Sequence, residues 1–174
     1  MKKHYLLFAA AIVMIIGSCS STPRENTEDN TANAAPVVAV ADKAGSHGTV
    51  MLTKSDFLAK VMNYEKNPSE WVFEGDKPCL IDFYADWCAP CRTTSPILEE
   101  LAAEYKGKID IYKIDTEKER ELAAVFGVQS LPTFLFVPME GKPTMSSGIA
   151  RTPEETKQMF RSQIDQLLLQ KGVS

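Results

Sequence analysis

The stretch that most constrains this chain is Leu80-Ile81-Asp82-Phe83-Tyr84-Ala85 running into Asp86-Trp87-Cys88-Ala89-Pro90-Cys91. From Cys79 to Ala85 the chain is apolar at nearly every position, the pattern of a strand buried on both faces. A helix then begins between two cysteines separated by two residues. Cys88 therefore lies just ahead of a helix N-terminus, where free N–H groups and the positive end of the dipole favour a thiolate. The attacking sulfur must also be exposed. Cys91, one turn on, is close enough to attack a mixed disulfide on Cys88 and release the partner. Pro90 falls in the first turn, where a missing N–H costs little. The pattern is that of a redox site.

A CxxC pair is also half of a zinc site, so ligand supply has to be weighed. The 174 residues include four cysteines, Cys19, Cys79, Cys88 and Cys91, and two histidines, His4 and His47. Both histidines precede the region that reads as folded, Cys19 lies in the leader, and Cys79 cannot complete a site alone, so no metal or cofactor is called for. Cys79 reads as a buried apolar filler. The net charge of −4 and the absence of a basic stripe argue against nucleic acid.

One carboxylate stands out. Asp82 sits inside the apolar strand, where its burial is costly unless it is paired or neutral. A strand-edge position reaching water is the alternative, which the central placement of the strand disfavours.

Around this centre the rest of the domain alternates. Thr49-Val50-Met51-Leu52 reads as a short strand, and Thr53 caps a helix with Phe57, Leu58, Val61 and Met62 on one face, ended by Asn67-Pro68. Trp71-Val72-Phe73 reads as an extended piece before a turn at Gly75-Asp76. The second helix, about 89–105, carries Ile97, Leu98, Leu101 and Ala102 toward the sheet, with Pro96 kinking it. Ile109 to Asp115 is a strand; Glu119 to Phe126 is a short helix stopped by Gly127. Phe134 to Val137 and a piece ending near Gly148 are the last strands. Thr152-Pro153-Glu154-Glu155 opens a final helix with the stripe Phe160, Ile164, Leu167 and Leu168. The fold class is α/β, a mixed sheet of four to five strands with helices on both faces.

Trp87-Cys88-Ala89-Pro90-Cys91, with Leu80 to Ala85 before it, resembles the active-site stretch of the thioredoxin family, whose commonest form has Gly where this chain has Ala89. The resemblance runs from Thr49 to the C-terminus and implies the thioredoxin fold. Thioredoxins are themselves a standard case of a lowered cysteine pKa, so that property is implied by the likeness. It further implies that Pro132 follows a cis peptide bond and faces the sulfurs, and that the Leu131 backbone pairs with an extended client beside Cys88. Pro132 follows Cys91 by 41 positions, as in thioredoxins, without the insertions of the cytochrome-maturation and disulfide-introducing relatives. Pro96 also has its match. Asp82 corresponds to a carboxylate that shuttles protons to the second cysteine, and Lys113 to a lysine approaching it from the next strand, a surface lysine on Ile111-Tyr112-Lys113-Ile114 being the less favoured alternative. Catalytic roles thus fall on Cys88, Cys91, Asp82 and Lys113. Client contact falls on Trp87, Ala89, Pro90, Leu131, Pro132 and Gly148, with Trp87 shielding the sulfurs and Gly148 leaving room for a partner backbone. Asp86 is assigned no role.

The N-terminus reads as a targeting segment. Lys2 and Lys3 precede an apolar run of 12 residues, Tyr5 to Ile16, short of the ~20 needed to span a bilayer. Ile16-Gly17-Ser18-Cys19 resembles a bacterial lipobox, which implies a signal peptide over 1–18 and lipid on Cys19; ordinary cleavage or an uncleaved anchor are the alternatives. Ser20 after the cysteine points to the outer membrane, by analogy with enterobacterial lipoproteins. Residues 19–48 then form a lipidated cysteine and tether, polar through Asn33. A flexible tether of this length has an r.m.s. span of about 30 Å. The domain occupies 49–174.

The expected function is a monomeric, membrane-tethered thiol–disulfide oxidoreductase that reduces disulfides of extracytoplasmic client proteins, fed by a transmembrane thiol electron donor. Ala89-Pro90 lacks the His that stabilises the reduced thiolate in strong oxidants, and Ala89 firms the helix start, which favours reduction. Oxidation or isomerisation, and a binding module on the same scaffold, are the alternatives.

Overall fold

The computed structural model describes residues 48–170; the segment read as a signal peptide, Cys19 and the stretch read as a tether before Gly48 lie outside them. The elements run β1 (Val50–Met51), α1 (Lys54–Lys60), β2 (Cys79–Tyr84), α2 (Ala89–Glu104), β3 (Asp110–Asp115), α3 (Arg120–Val125), β4 (Thr133–Val137), β5 (Thr144–Ser147) and α4 (Pro153–Gln163). A π-helical stretch, Ile164–Leu168, extends α4. The strands form one sheet in the order β1-β3-β2-β4-β5. β3 runs parallel to β1 and β2, β4 antiparallel to β2, and β5 antiparallel to β4. This is the mixed α/β thioredoxin fold.

Strand alternation divides the core between two faces. Leu80, Ile111, Phe134 and Phe136 pack under α2 and α4 with Ile97, Leu98, Leu101, Phe160 and Ile164. Cys79, Ile81, Phe83, Ile114, Leu135 and Val137 pack on the other face against Phe57 of α1 and Leu122 of α3. The Phe134 and Phe160 rings meet edge-on with centroids 4.7 Å apart, a geometry worth about 0.5–1.5 kcal/mol beyond burial.

Local chemistry sets the helix ends. Thr53 and Thr152 each accept from the amide three residues on, while Asp56 and Glu155 reach back to the cap amides, so both α1 and α4 open on a capping box. α1 stops at Lys60, well before Asn67-Pro68. The Asn63 side chain accepts from the Lys66 amide at 3.0 Å and its carbonyl from the Asn67 amide, closing a separate side-chain-capped turn that competes with continued helix. Trp71-Val72-Phe73 pairs with no strand. Trp71 instead sets its ring edge-on to Phe126, centroids 6.4 Å apart, and the Glu74 amide donates to the Val61 carbonyl. α2 continues through Pro96.

Candidate active site

The site forms where β2 hands the chain to α2. Cys88 is the N-cap of α2, in extended backbone conformation, and its sulfur accepts from the Cys91 amide at 3.2 Å. Ala89 and Pro90 occupy the exposed first turn, with Pro90 where no intrahelical N–H is missed. Cys88 and Cys91 are joined as a disulfide, S–S 2.09 Å. A capping sulfur aligned with the helix axis is stabilised as an anion once the bond is reduced.

Both sulfur-bearing residues are buried in this oxidised state, Cys88 at 4% and Cys91 at 1% exposure. The exposure expected of Cys88 is thus largely closed off: the disulfide ties its sulfur to Cys91, and the two sit with Ala85 in a buried cluster on which Tyr84 and Leu131 pack. Trp87, expected to shield the sulfurs, directly precedes Cys88 and is 67% exposed.

The Leu131–Pro132 peptide is cis, and Pro132 is buried beside Thr133 at the start of β4. The Leu131 backbone takes part in no ladder or turn hydrogen bond among the described residues, which leaves it open to an added strand. Gly148 donates to the Pro132 carbonyl at 3.0 Å. Its φ of +80° is a left-handed value that favours glycine, and space lies open where a Cβ would project.

Asp82 is fully buried in β2, directly opposite Lys113 of β3. Alternation places both on the α2 side of the sheet with Leu80 and Ile111. Lys113 Nζ lies 3.4 Å from Asp82 Oδ2, an ion pair without an aligned hydrogen bond, and neither carboxylate oxygen has a hydrogen-bond partner. Burial pushes the Asp82 pKa up to about 6, with Lys113 pulling the other way through its charge and its 3.4 Å contact with the carboxylate. Lys113 is buried too; its ammonium donates to Ser95 Oγ on α2 at 2.6 Å and sits 4.6 Å from the centre of the Tyr84 ring. Cys79 is buried at the far end of β2, and burial pushes its thiol pKa up.

Ser95 and Tyr84 were not legible as site residues. Ser95 lies four positions after Cys91, on the same side of α2, and a buried Asp–Lys pair needs polar company from the helix above it. That spacing was the available signal.

The fold and the paired cysteines at a helix start define a thiol–disulfide oxidoreductase with protein-disulfide reductase activity. A thioredoxin family model matches residues 49–163, and the chain belongs to the thioredoxin family. It is 54% identical over 99 residues to a thioredoxin of Borreliella burgdorferi, covering 57% of this chain and 84% of that protein. It is 34% identical over 85 residues to thioredoxin 1 of a Nostoc species, covering 49% of this chain and 78% of that one. Against a chloroplastic M-type thioredoxin of Pisum sativum the identity is 47% over 73 residues, but only 42% of the pea protein is covered, and 40% of this chain.

Proposed function

We propose that this protein is a lipid-anchored thioredoxin that reduces disulfides of client proteins outside the cytoplasm. The observation that carries the chemistry is the Cys88 sulfur as N-cap of α2, with the Cys91 amide donating to it at 3.2 Å. Reduced Cys88 attacks a client disulfide as thiolate, forming a Cys88–client bond and releasing one client sulfur as a thiolate. Cys91 then attacks the Cys88 sulfur, its proton passing to Asp82. The second client sulfur leaves, and the Cys88–Cys91 disulfide remains. The client has gained two electrons, and a thiol electron donor spanning the membrane returns the protein to the dithiol. Lys113 moderates the Asp82 charge. Leu131, Pro132 and Gly148, with Trp87, Ala89 and Pro90 at the rim, receive the client as an extended segment.

Placement rests on the N-terminal sequence: a short apolar run ending on Ile16-Gly17-Ser18-Cys19, then the tether to Gly48. Ser20 favours the outer membrane. Direction rests on Ala89-Pro90, which puts no imidazole beside Cys88. Equilibrating the full chain with glutathione buffers tests it. CxxC proteins span about −270 to about −120 mV, thioredoxins marking the reducing end, and this protein is expected toward that end. A potential at the oxidising end would make it an oxidant or isomerase. Failure to turn over insulin with dithiothreitol would leave only a binding module.

A further inference from the structure

The ion pair beneath α2 is arranged in an unexpected order of distances. The Lys113 ammonium makes its short contact, 2.6 Å, with the neutral Ser95 hydroxyl, while the Asp82 carboxylate lies 3.4 Å away with both oxygens bare of hydrogen bonds. In a site shielded from water a charge-assisted bond to carboxylate, at about 2.7–2.9 Å, is stronger than one to a hydroxyl. A lysine free to choose would close on Asp82. Two fixed groups hold it elsewhere: Ser95 on α2 and the Tyr84 ring on β2, 4.6 Å from Nζ.

We propose that Ser95 is a positioning residue of the proton relay, its hydroxyl holding the Lys113 ammonium off Asp82 so that the carboxylate stays a bare acceptor. The inference rests on the reading of Asp82 as acceptor of the Cys91 proton. A lysine hydrogen-bonded to Asp82 would occupy a lone pair and stabilise the anion, weakening it as a base. With Ser95 taking the ammonium, Asp82 feels the charge and keeps both oxygens free. The groups around Asp82 are few. β3 brings Lys113 and, two residues on along the same face, Asp115. β2 brings Tyr84. α2 brings Ser95 and, one turn earlier, Cys91, which is in the disulfide and does not titrate. β4 places uncharged Phe134 opposite Asp82.

The test follows Asp82 protonation by its carboxyl stretch in infrared difference spectra of the oxidised full chain, across pH. Ser95→Ala should lower the Asp82 midpoint by about one pH unit as the ammonium closes on the carboxylate. Ser95→Thr keeps a hydroxyl and should retain the native midpoint. In a Lys113→Met background Ser95→Ala should have no effect, because no ammonium remains to be released. An unchanged or raised midpoint in Ser95→Ala, or the same shift with and without Lys113, would overturn the proposal. The oxidised protein does not turn over, so this readout is separate from whether Asp82 accepts the Cys91 proton; that is decided by the kinetics of Asp82→Asn.

Discussion

The amide of Cys91 donates to the sulfur of Cys88 across 3.2 Å, so the second cysteine's own backbone caps the first cysteine's side chain. The relationship is asymmetric. Cys88 receives the helix N-terminus, while Cys91 sits inside the first turn at 1% exposure. Cys91→Ser should therefore accumulate mixed disulfides between Cys88 and client proteins, visible on non-reducing gels, and Cys88→Ser should trap none. Equal trapping by both single variants would reverse the assignment of nucleophile and resolving thiol.

Asp82 couples mechanism to stability. Burial pushes its pKa in the folded chain up to about 6, well above the ordinary carboxylate value. A raised folded-state pKa means that the folded state holds the proton more tightly, so this stabilisation is complete below about pH 4 and is lost as pH rises through 6. The loss is on the order of 2–3 kcal/mol. Asp82→Asn cannot ionise and should remove that slope, gaining in denaturant midpoint relative to wild type between pH 4 and 7.

The same variant should slow release of the mixed disulfide by about 10²-fold in rapid-mixing kinetics, at the low end for a general acid–base group. The first attack by Cys88 should be less affected. Both steps unchanged would make the carboxylate structural and send the proton to water.

Gly148 follows β5 with φ +80°, and beyond its chain neighbours no atom lies within 4 Å of where a Cβ would stand. Gly148→Ala meets no clash, and its cost is the left-handed backbone, about 1–2 kcal/mol by urea denaturation. If the glycine leaves room for a client backbone, kcat/KM for a protein disulfide should fall while the rate with a small aromatic disulfide holds. Equal loss for both would confine its role to the fold.

Anchoring is read on the chain as made in cells. Intact-mass analysis of membrane-extracted protein should show a product beginning at an acylated Cys19, and Cys19→Ser should release or mislocalise it. A soluble, unacylated product with another start would discard the lipid anchor.

Much of this site was legible because its determinants are local. A strand apolar on both faces could only be central, and cysteines flanking a helix start could only fall at its N-cap and first turn. The buried Asp82 followed from its apolar neighbours. Contacts that depend on how α2 is rotated over the sheet were not legible. The spacing of Ser95 from Cys91 puts it on the right side of α2, but only the rotation of the helix decides that it meets Lys113. The early end of α1 was hidden for a different reason: the Asn63 turn competes with a helix that the apolar spacing of Val61 and Met62 favours.

The burial of Cys79 bears on the disulfide cycle by keeping a third thiol out of reach. A third thiol able to reach the Cys88–Cys91 bond would let the protein scramble, trading its functional pairing for a dead one without any client present. Here that thiol is locked in the sheet at 1% exposure, with burial also suppressing its thiolate, so it lacks both the access and the ionisation that exchange requires. Among the described residues, the redox-active sulfur is therefore confined to the Cys88–Cys91 pair.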